Sequence, residues 1–259
     1  MSKNTVFPLD ENRRRYYLDV LGIQCWQLRD AEDSSVTDRQ AEGRSAADRQ
    51  VAERGLLAAN NRDVTSTDII TDADNWSQLE TTIQQCDKCQ LCATRKQAIA
   101  GRGKQSAELM FVLLAPAGSD DEAGSICSGE ANDLFAKMLA AINLPIEGVY
   151  ITSLLKCKVP AKHTVSPQEI KQCLVYLKQQ IQLVQPKLLI VLGETTIRCL
   201  LQKNLSLDDF RAMNAESQYQ LESVPLFVSY SPHELLQHAE NKRKAWSDLQ
   251  QLQKLIKNF

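Results

Sequence analysis

Four continuous apolar runs constrain this chain more than any other feature: Leu109–Ala115, Val149–Leu155, Leu188–Gly193 and Leu226–Tyr230. Helical patterns near 131–142, 167–184 and 194–203 separate them, and one near 240–257 follows the last. A strand with one wet face alternates apolar and polar residues, so runs that are apolar throughout belong to strands buried on both faces. Helices between them supply that cover and the long crossovers that parallel pairing needs. The pattern predicts an α/β fold, a three-layer α/β/α sandwich with a mostly parallel four-stranded sheet. Ser166-Pro167-Gln168-Glu169 reads as a helix start, with Ser as N-cap, Pro at N1 and Glu at N3. Gly193 closes the third strand before Glu194 opens a helix. In open sheets of this kind ligands sit beyond the carboxyl ends of the strands, which points to the loop around Pro116.

These runs lie within residues 77–259, read as the globular domain. Residues 30–76 are polar, nearly free of aromatics, and carry an imperfect repeat, DRQAEGR at 38–44 and DRQVAER at 48–54. Such a stretch cannot bury enough apolar surface to offset its ordering entropy, and it reads as a flexible linker. Residues 1–29 are again apolar and basic. The net charge of −2, from 30 basic and 32 acidic residues, argues against a main role in gripping duplex DNA. The start, MSKNTVFPLDENRRR, has no apolar signal core, and no stretch of eighteen apolar residues occurs, so the chain reads as cytoplasmic with no membrane span.

Eight cysteines in a chain read as cytoplasmic suggest metal or catalysis more than disulfides. CDKCQLC supplies Cys86, Cys89 and Cys92; Cys157 follows the second strand in LLKCKVP, and Cys173 lies inside the helix that begins at Pro167. A CxxC turn holds two thiolates on one side of a loop, and two further cysteines could close a four-thiolate site. The alternative is a set of ordinary buried thiols, the reading favoured for the lone Cys199 in its apolar helix.

CDKCQLCATR, LMFV, YITSLLKCKVP, SPQEIKQCLVYLKQQI, PKLLIVLG and SPHELL, in that order and spacing, resemble the iron–sulfur uracil-DNA glycosylases of the family-4 type over roughly residues 84–257. The resemblance implies a uracil-DNA glycosylase-like fold and a [4Fe–4S] cluster on Cys86, Cys89, Cys157 and Cys173, with tetrahedral zinc in the same thiolates as the physical alternative. It also exposes departures. The family's Gly-Glu-Ala-Pro-Gly reads Leu113-Leu114-Ala115-Pro116-Ala117 here, so Leu114 replaces the acid. Cys127 stands where the family stacks an aromatic on the base, Ser153 where an Asn reads it, and Ser231 where a His precedes Pro232. Flipping, stacking and reading a base and stabilising its leaving charge each need a residue type. Four replacements predict a pocket without catalysis. Asp120, Asp121 and His233 are the groups left for a rival reading, a DNA-repair glycosylase with altered substrate.

The segment RRRYYLDVLGIQCWQL, Arg13 to Leu28, resembles the N-terminal peptide of the psi subunit of bacterial DNA polymerase III, and VSYSPHELLQHAENKRKAWSDLQQL resembles the psi C-terminal part. Together with the lost pocket residues, this predicts a non-catalytic psi-type subunit of the clamp loader. Residues 1–29 would be its docking peptide, with Arg14, Tyr17, Leu18, Leu21, Ile23, Trp26 and Leu28 binding the tau/gamma, delta and delta-prime collar. The domain would hold the chi subunit and, through it, single-stranded-DNA-binding protein, with little or no direct contact to DNA. The alternative for residues 1–29 is a helix packed on its own domain.

Overall fold

The apolar runs become strands because each can hide both faces. In the computed structural model, which describes residues 76–214, 219–257 and 259, the strands are β1 (Arg102–Gly103), β2 (Leu109–Leu113), β3 (Tyr150–Ser153), β4 (Leu188–Leu192), β5 (Gln220–Leu221) and β6 (Val224–Ser229). Their order is β1-β3-β2-β4-β6-β5. Every side chain of β2, β3 and β4 is buried, as continuous apolar strands require. β3, β2, β4 and β6 pair in parallel, in the registers Phe111 with Ile151, Phe111 with Ile190, and Ile190 with Phe227.

The expected four strands are therefore the centre of a six-stranded mixed sheet. β1 lies antiparallel to β3, and β5 antiparallel to β6. Both edge strands are two residues long and neither is apolar, so no hydrophobic run announces them. Gly103 is required in β1. Its φ is 112°, and a Cβ there would collide with the Val149 carbonyl of the β3 side.

The helices are α1 (Trp76–Gln84), α2 (Gly118–Ala123), α3 (Gly129–Ala140), α4 (Pro167–Val184), α5 (Glu194–Leu201), α6 (Leu207–Ala212), α7 (Pro232–Gln237) and α8 (Lys242–Ile256). α3 packs on both α7 and α8, and α1 packs on α4. α4 starts as its sequence predicts: Ser166 Oγ accepts from the Glu169 amide, and the Glu169 carboxylate accepts from the Ser166 amide. The six-residue helices α2, α6 and α7 are too short to show a periodic pattern and were not expected.

Two apolar clusters result. The main core lies on the sheet and includes an edge-to-face pair, Phe111 on Phe135, with ring centroids 5.0 Å apart. A smaller cluster joins Leu79, Ile83, Leu91 and Ala98 to Leu155, Cys157, Cys173 and Tyr176. No described helix is long and apolar enough to cross a membrane. The expected docking peptide, with Arg14, Tyr17, Leu18, Leu21, Ile23, Trp26 and Leu28, lies outside the described residues, as does the expected linker up to Trp76, which opens α1.

Candidate metal centre and pocket

The small cluster assembles the cysteines. α1 ends at Gln84, and the chain passes Cys86 and Cys89 before a short 3-10 turn, Gln90–Ala93, whose Leu91 is buried. Cys86 and Cys89 lie half-buried against Cys157, just past β3, and Cys173, inside α4. Three segments distant in sequence thus bring together the four thiols expected to be ligands. Cys92 falls outside this cluster, its Sγ 3.9 Å from the Asp87 carbonyl.

Sequence reasoning missed the cations around these sulfurs. Arg95 donates from Nη1 to Cys157 Sγ at 2.8 Å, and from Nη2 to the Cys86 carbonyl at 2.6 Å and the Gln84 carbonyl at 3.1 Å. One guanidinium therefore clamps two of the cysteine segments. In the sequence it is one of three cations in CDKCQLCATRK, with Lys88 and Lys96, and nothing local singles it out. Lys156 is fully buried, and its Nζ donates to Thr152 Oγ1 at 2.8 Å, the Ser153 carbonyl at 2.6 Å and Gln180 Oε1 at 2.7 Å. All three acceptors are neutral. Burial brings the Lys156 ammonium down to about 7, while the neighbouring Cys173 and Cys157 work to raise it. The Tyr176 hydroxyl lies beside Cys86 without a hydrogen bond of ordinary geometry.

As free thiols Cys89, Cys157 and Cys173 resist ionisation. Burial pushes Cys173 up to about 11 and moves Cys89 and Cys157 the same way, although Arg95 pulls Cys157 back. A coordinated metal reverses this, because it deprotonates a thiol outright. Four cysteines, with a guanidinium donating to one sulfur and an ammonium buried beside two, fit an anionic, thiolate-held centre. Among the described residues no three His, Cys, Asp or Glu side chains stand close enough to hold one metal ion.

The second constellation sits at the carboxyl end of the parallel strands. Leu114 follows β2, Ser153 ends β3, Ser231 follows β6, and Cys127 lies in the turn between α2 and α3. The loops after β2 and β3 are bonded together: the Leu154 amide donates to the Leu113 carbonyl at 2.8 Å and the Leu155 amide to the Leu114 carbonyl at 2.9 Å. Ser153 Oγ donates to the Leu155 carbonyl at 2.7 Å, and Ser231 Oγ accepts from the Glu234 amide at 3.2 Å as the cap of α7. Cys127 is fully buried with φ 56°, and Arg102 holds its turn by donating to the Ile126 and Cys127 carbonyls.

The acids are already engaged. Asp120 accepts from the Ala117 amide and from the amide and hydroxyl of Ser128. Burial works to raise Asp121, but the Lys96 and Gln97 amides and Lys158 more than offset it and leave its carboxyl below the ordinary range. His233, on α7, keeps a buried Nε2 with no hydrogen-bond partner.

Residues 100–250 match the uracil DNA glycosylase superfamily. The chain belongs to that superfamily. It is 31% identical over 176 residues to a type-4 uracil-DNA glycosylase of Pyrobaculum aerophilum, covering 66% of this chain and 90% of the relative. A type-4 uracil-DNA glycosylase of Archaeoglobus fulgidus is 38% identical over 111 residues, 43% of this chain and 56% of the relative. One from Thermotoga maritima is 26% identical over 178 residues, 68% of this chain and 91% of the relative.

These relatives overturn the psi expectation. Proteins named as DNA glycosylases stand against a non-catalytic clamp-loader subunit. They likewise overturn the expected partners, namely the tau/gamma, delta and delta-prime collar, chi and, through it, single-stranded-DNA-binding protein, and the expectation of little or no contact with DNA. The psi-like C-terminal stretch, residues 228–252, runs from the end of β6 through α7 into α8, and all but its last two residues lie inside the superfamily match, so the glycosylase fold itself accounts for it. The psi-like N-terminal stretch lies outside the described residues.

Proposed function

We propose that this chain is a DNA-repair glycosylase whose pocket accepts a base other than uracil. The carrying observation is that Ser153 ends β3 with its hydroxyl committed to the Leu155 carbonyl. An Asn amide offers a donor and an acceptor to a base edge; this hydroxyl, its one proton given to the Leu155 carbonyl, keeps only acceptor capacity and does not replace the donor. Leu114 and Cys127, at two of the other positions where the chain departs from the family, are apolar and offer no such pair of polar groups. A target nucleotide flipped from the duplex would enter at this carboxyl end of the sheet. In the reaction the N-glycosidic bond breaks, the base leaves with the bonding pair, and water adds to the sugar carbon. The leaving base needs a hydrogen-bond donor. His233 supports that role, because its Nε2 is buried and uncommitted while Asp120 and Asp121 are held by backbone amides.

Cys86, Cys89, Cys157 and Cys173 would hold a [4Fe–4S] cluster, with Arg95 donating to one sulfur. When bound, the cluster supplies four iron–thiolate bonds that join the CxxC loop, the end of β3 and α4. Iron and sulfide near four per chain in anaerobically purified protein are expected; zinc in their place would overturn the assignment.

The functional test uses the full chain on duplexes carrying a single uracil, hypoxanthine or mismatched thymine, followed by alkaline strand cleavage. Base release from a non-uracil duplex is expected. His233→Ala should lower it by about 10²–10³, the usual loss for one donor to a developing charge. No release from any duplex would overturn the proposal, and release confined to uracil would overturn the altered preference.

A further inference from the structure

Lys156 is a buried cation whose surroundings lack the usual partner. An ammonium withdrawn from water is costly unless a counter-charge faces it. Its three acceptors are a hydroxyl, a carbonyl and an amide oxygen, all neutral, and its ionisable neighbours are the Cys157 and Cys173 thiols. Gln180 Nε2 in turn donates to the Ala100 carbonyl at 2.7 Å and Thr152 Oγ1 to the same oxygen at 2.6 Å, so this network is anchored to the rest of the fold.

The position of Lys156 in the chain matters as much as its charge. Cys157, next to it, belongs to the cysteine centre, and Ser153, whose carbonyl it holds, belongs to the pocket. Between them, Leu154 and Leu155 carry the two amide bonds that fasten the Leu113–Leu114 loop. The Lys156 carbonyl accepts from the Ile99 amide at 2.8 Å, which fixes the other side of the same turn. Residues 152–157 therefore form one braced turn with Cys157 at one end and Ser153 at the other.

We propose that Lys156 is a positioning residue: held by the charge of the thiolate-bound centre, it fixes the carbonyl of Ser153 and so sets the pocket loops. The inference rests on the cluster reading given above. An anionic cluster supplies the missing counter-charge, and the lysine converts that charge into the placement of Ser153 and, through Leu154 and Leu155, of Leu113 and Leu114. Loss of the ammonium would leave the side-chain packing largely in place while freeing the turn. Removing a positive charge beside the cluster would also make its reduction harder.

The test compares full-length wild type with Lys156→Met, which keeps the side-chain bulk and removes charge and donors. Iron content and visible absorption are recorded first. Lys156→Met is expected to keep its iron, to reduce at a more negative potential, and to exchange the Leu154 and Leu155 amides at least tenfold faster, with α8 amides unchanged. An unchanged potential and unchanged exchange with an intact cluster would overturn this role alone. Equally faster exchange throughout the domain would also overturn it, because it signals general loosening. Wild-type protein without iron would end the cluster reading and remove the counter-charge on which this role depends. Should the variant fail to hold the cluster, the wild type supplies the test. Reduction with dithionite adds negative charge beside the ammonium and should slow Leu154 and Leu155 exchange at least threefold relative to α8; no difference would overturn the proposal.

Discussion

Cys127 shows what a single residue carries here. Its φ of 56° lies in the left-handed region, which a side chain of this kind rarely occupies, and its thiol is fully buried. Burial, and then the Asp120 carboxylate, push the thiol up to about 12. The protonated thiol is the form that folding favours. Its stabilisation is whole below the ordinary thiol value of about 8.5, and it drains away as pH rises toward about 12. Folded protein treated with iodoacetamide at pH 8 should therefore leave Cys127 unlabelled, and urea-unfolded protein should label it, as read by peptide mass spectrometry. Cys127→Ala should flatten the loss of stability on the alkaline side. The identity of this residue was legible in the sequence, as were Leu114, Ser153 and Ser231. Their bonding was not: that the Ser153 and Ser231 hydroxyls are already used depends on which backbone groups the folded loops bring beside them.

At the scale of elements, α4 rests on its first turn. Ser166 Oγ accepts from the Glu169 amide at 3.3 Å, and Glu169 Oε2 accepts from the Ser166 amide at 2.8 Å. Burial works to raise the Glu169 carboxyl, but the Ser166 and His163 bonds outweigh it and leave the group below its ordinary value. Ser166→Ala should cost about 1 kcal/mol. For a domain of this size that corresponds to a melting temperature lower by about 2–4 °C, measurable by circular dichroism. This start was readable because a capping box is a local code of four adjacent residues. β1 and β5 were not readable: each is an edge strand of two residues, and its pairing is decided by where a neighbouring strand runs. The short helices α2, α6 and α7 were missed for a related reason, since six residues span less than two turns.

At the scale of the whole molecule, the proposed cluster would tie three segments distant in sequence: the loop after α1, the turn past β3 and α4. Cys157→Ala should lower iron content and melting temperature together, and by more than the capping variant does, since metal binding to a site absent from the unfolded chain adds to folding free energy. A stable, iron-loaded variant would remove Cys157 from the ligand set. The sequence by itself determined the parallel α/β core and the start of α4, whereas the grouping of Cys86, Cys89, Cys157 and Cys173 came from the resemblance to the family-4 glycosylases. The core and the helix start follow from apolar periodicity and capping chemistry, which are properties of neighbouring residues. Only the tertiary structure decided that Arg95 reaches Cys157 across the fold, that the buried Lys156 ammonium lands on the Ser153 carbonyl, and that Asp120 and Asp121 are engaged while Nε2 of His233 is not. Such pairings join groups from separate loops, and their partners exist only once packing has closed those loops on one another.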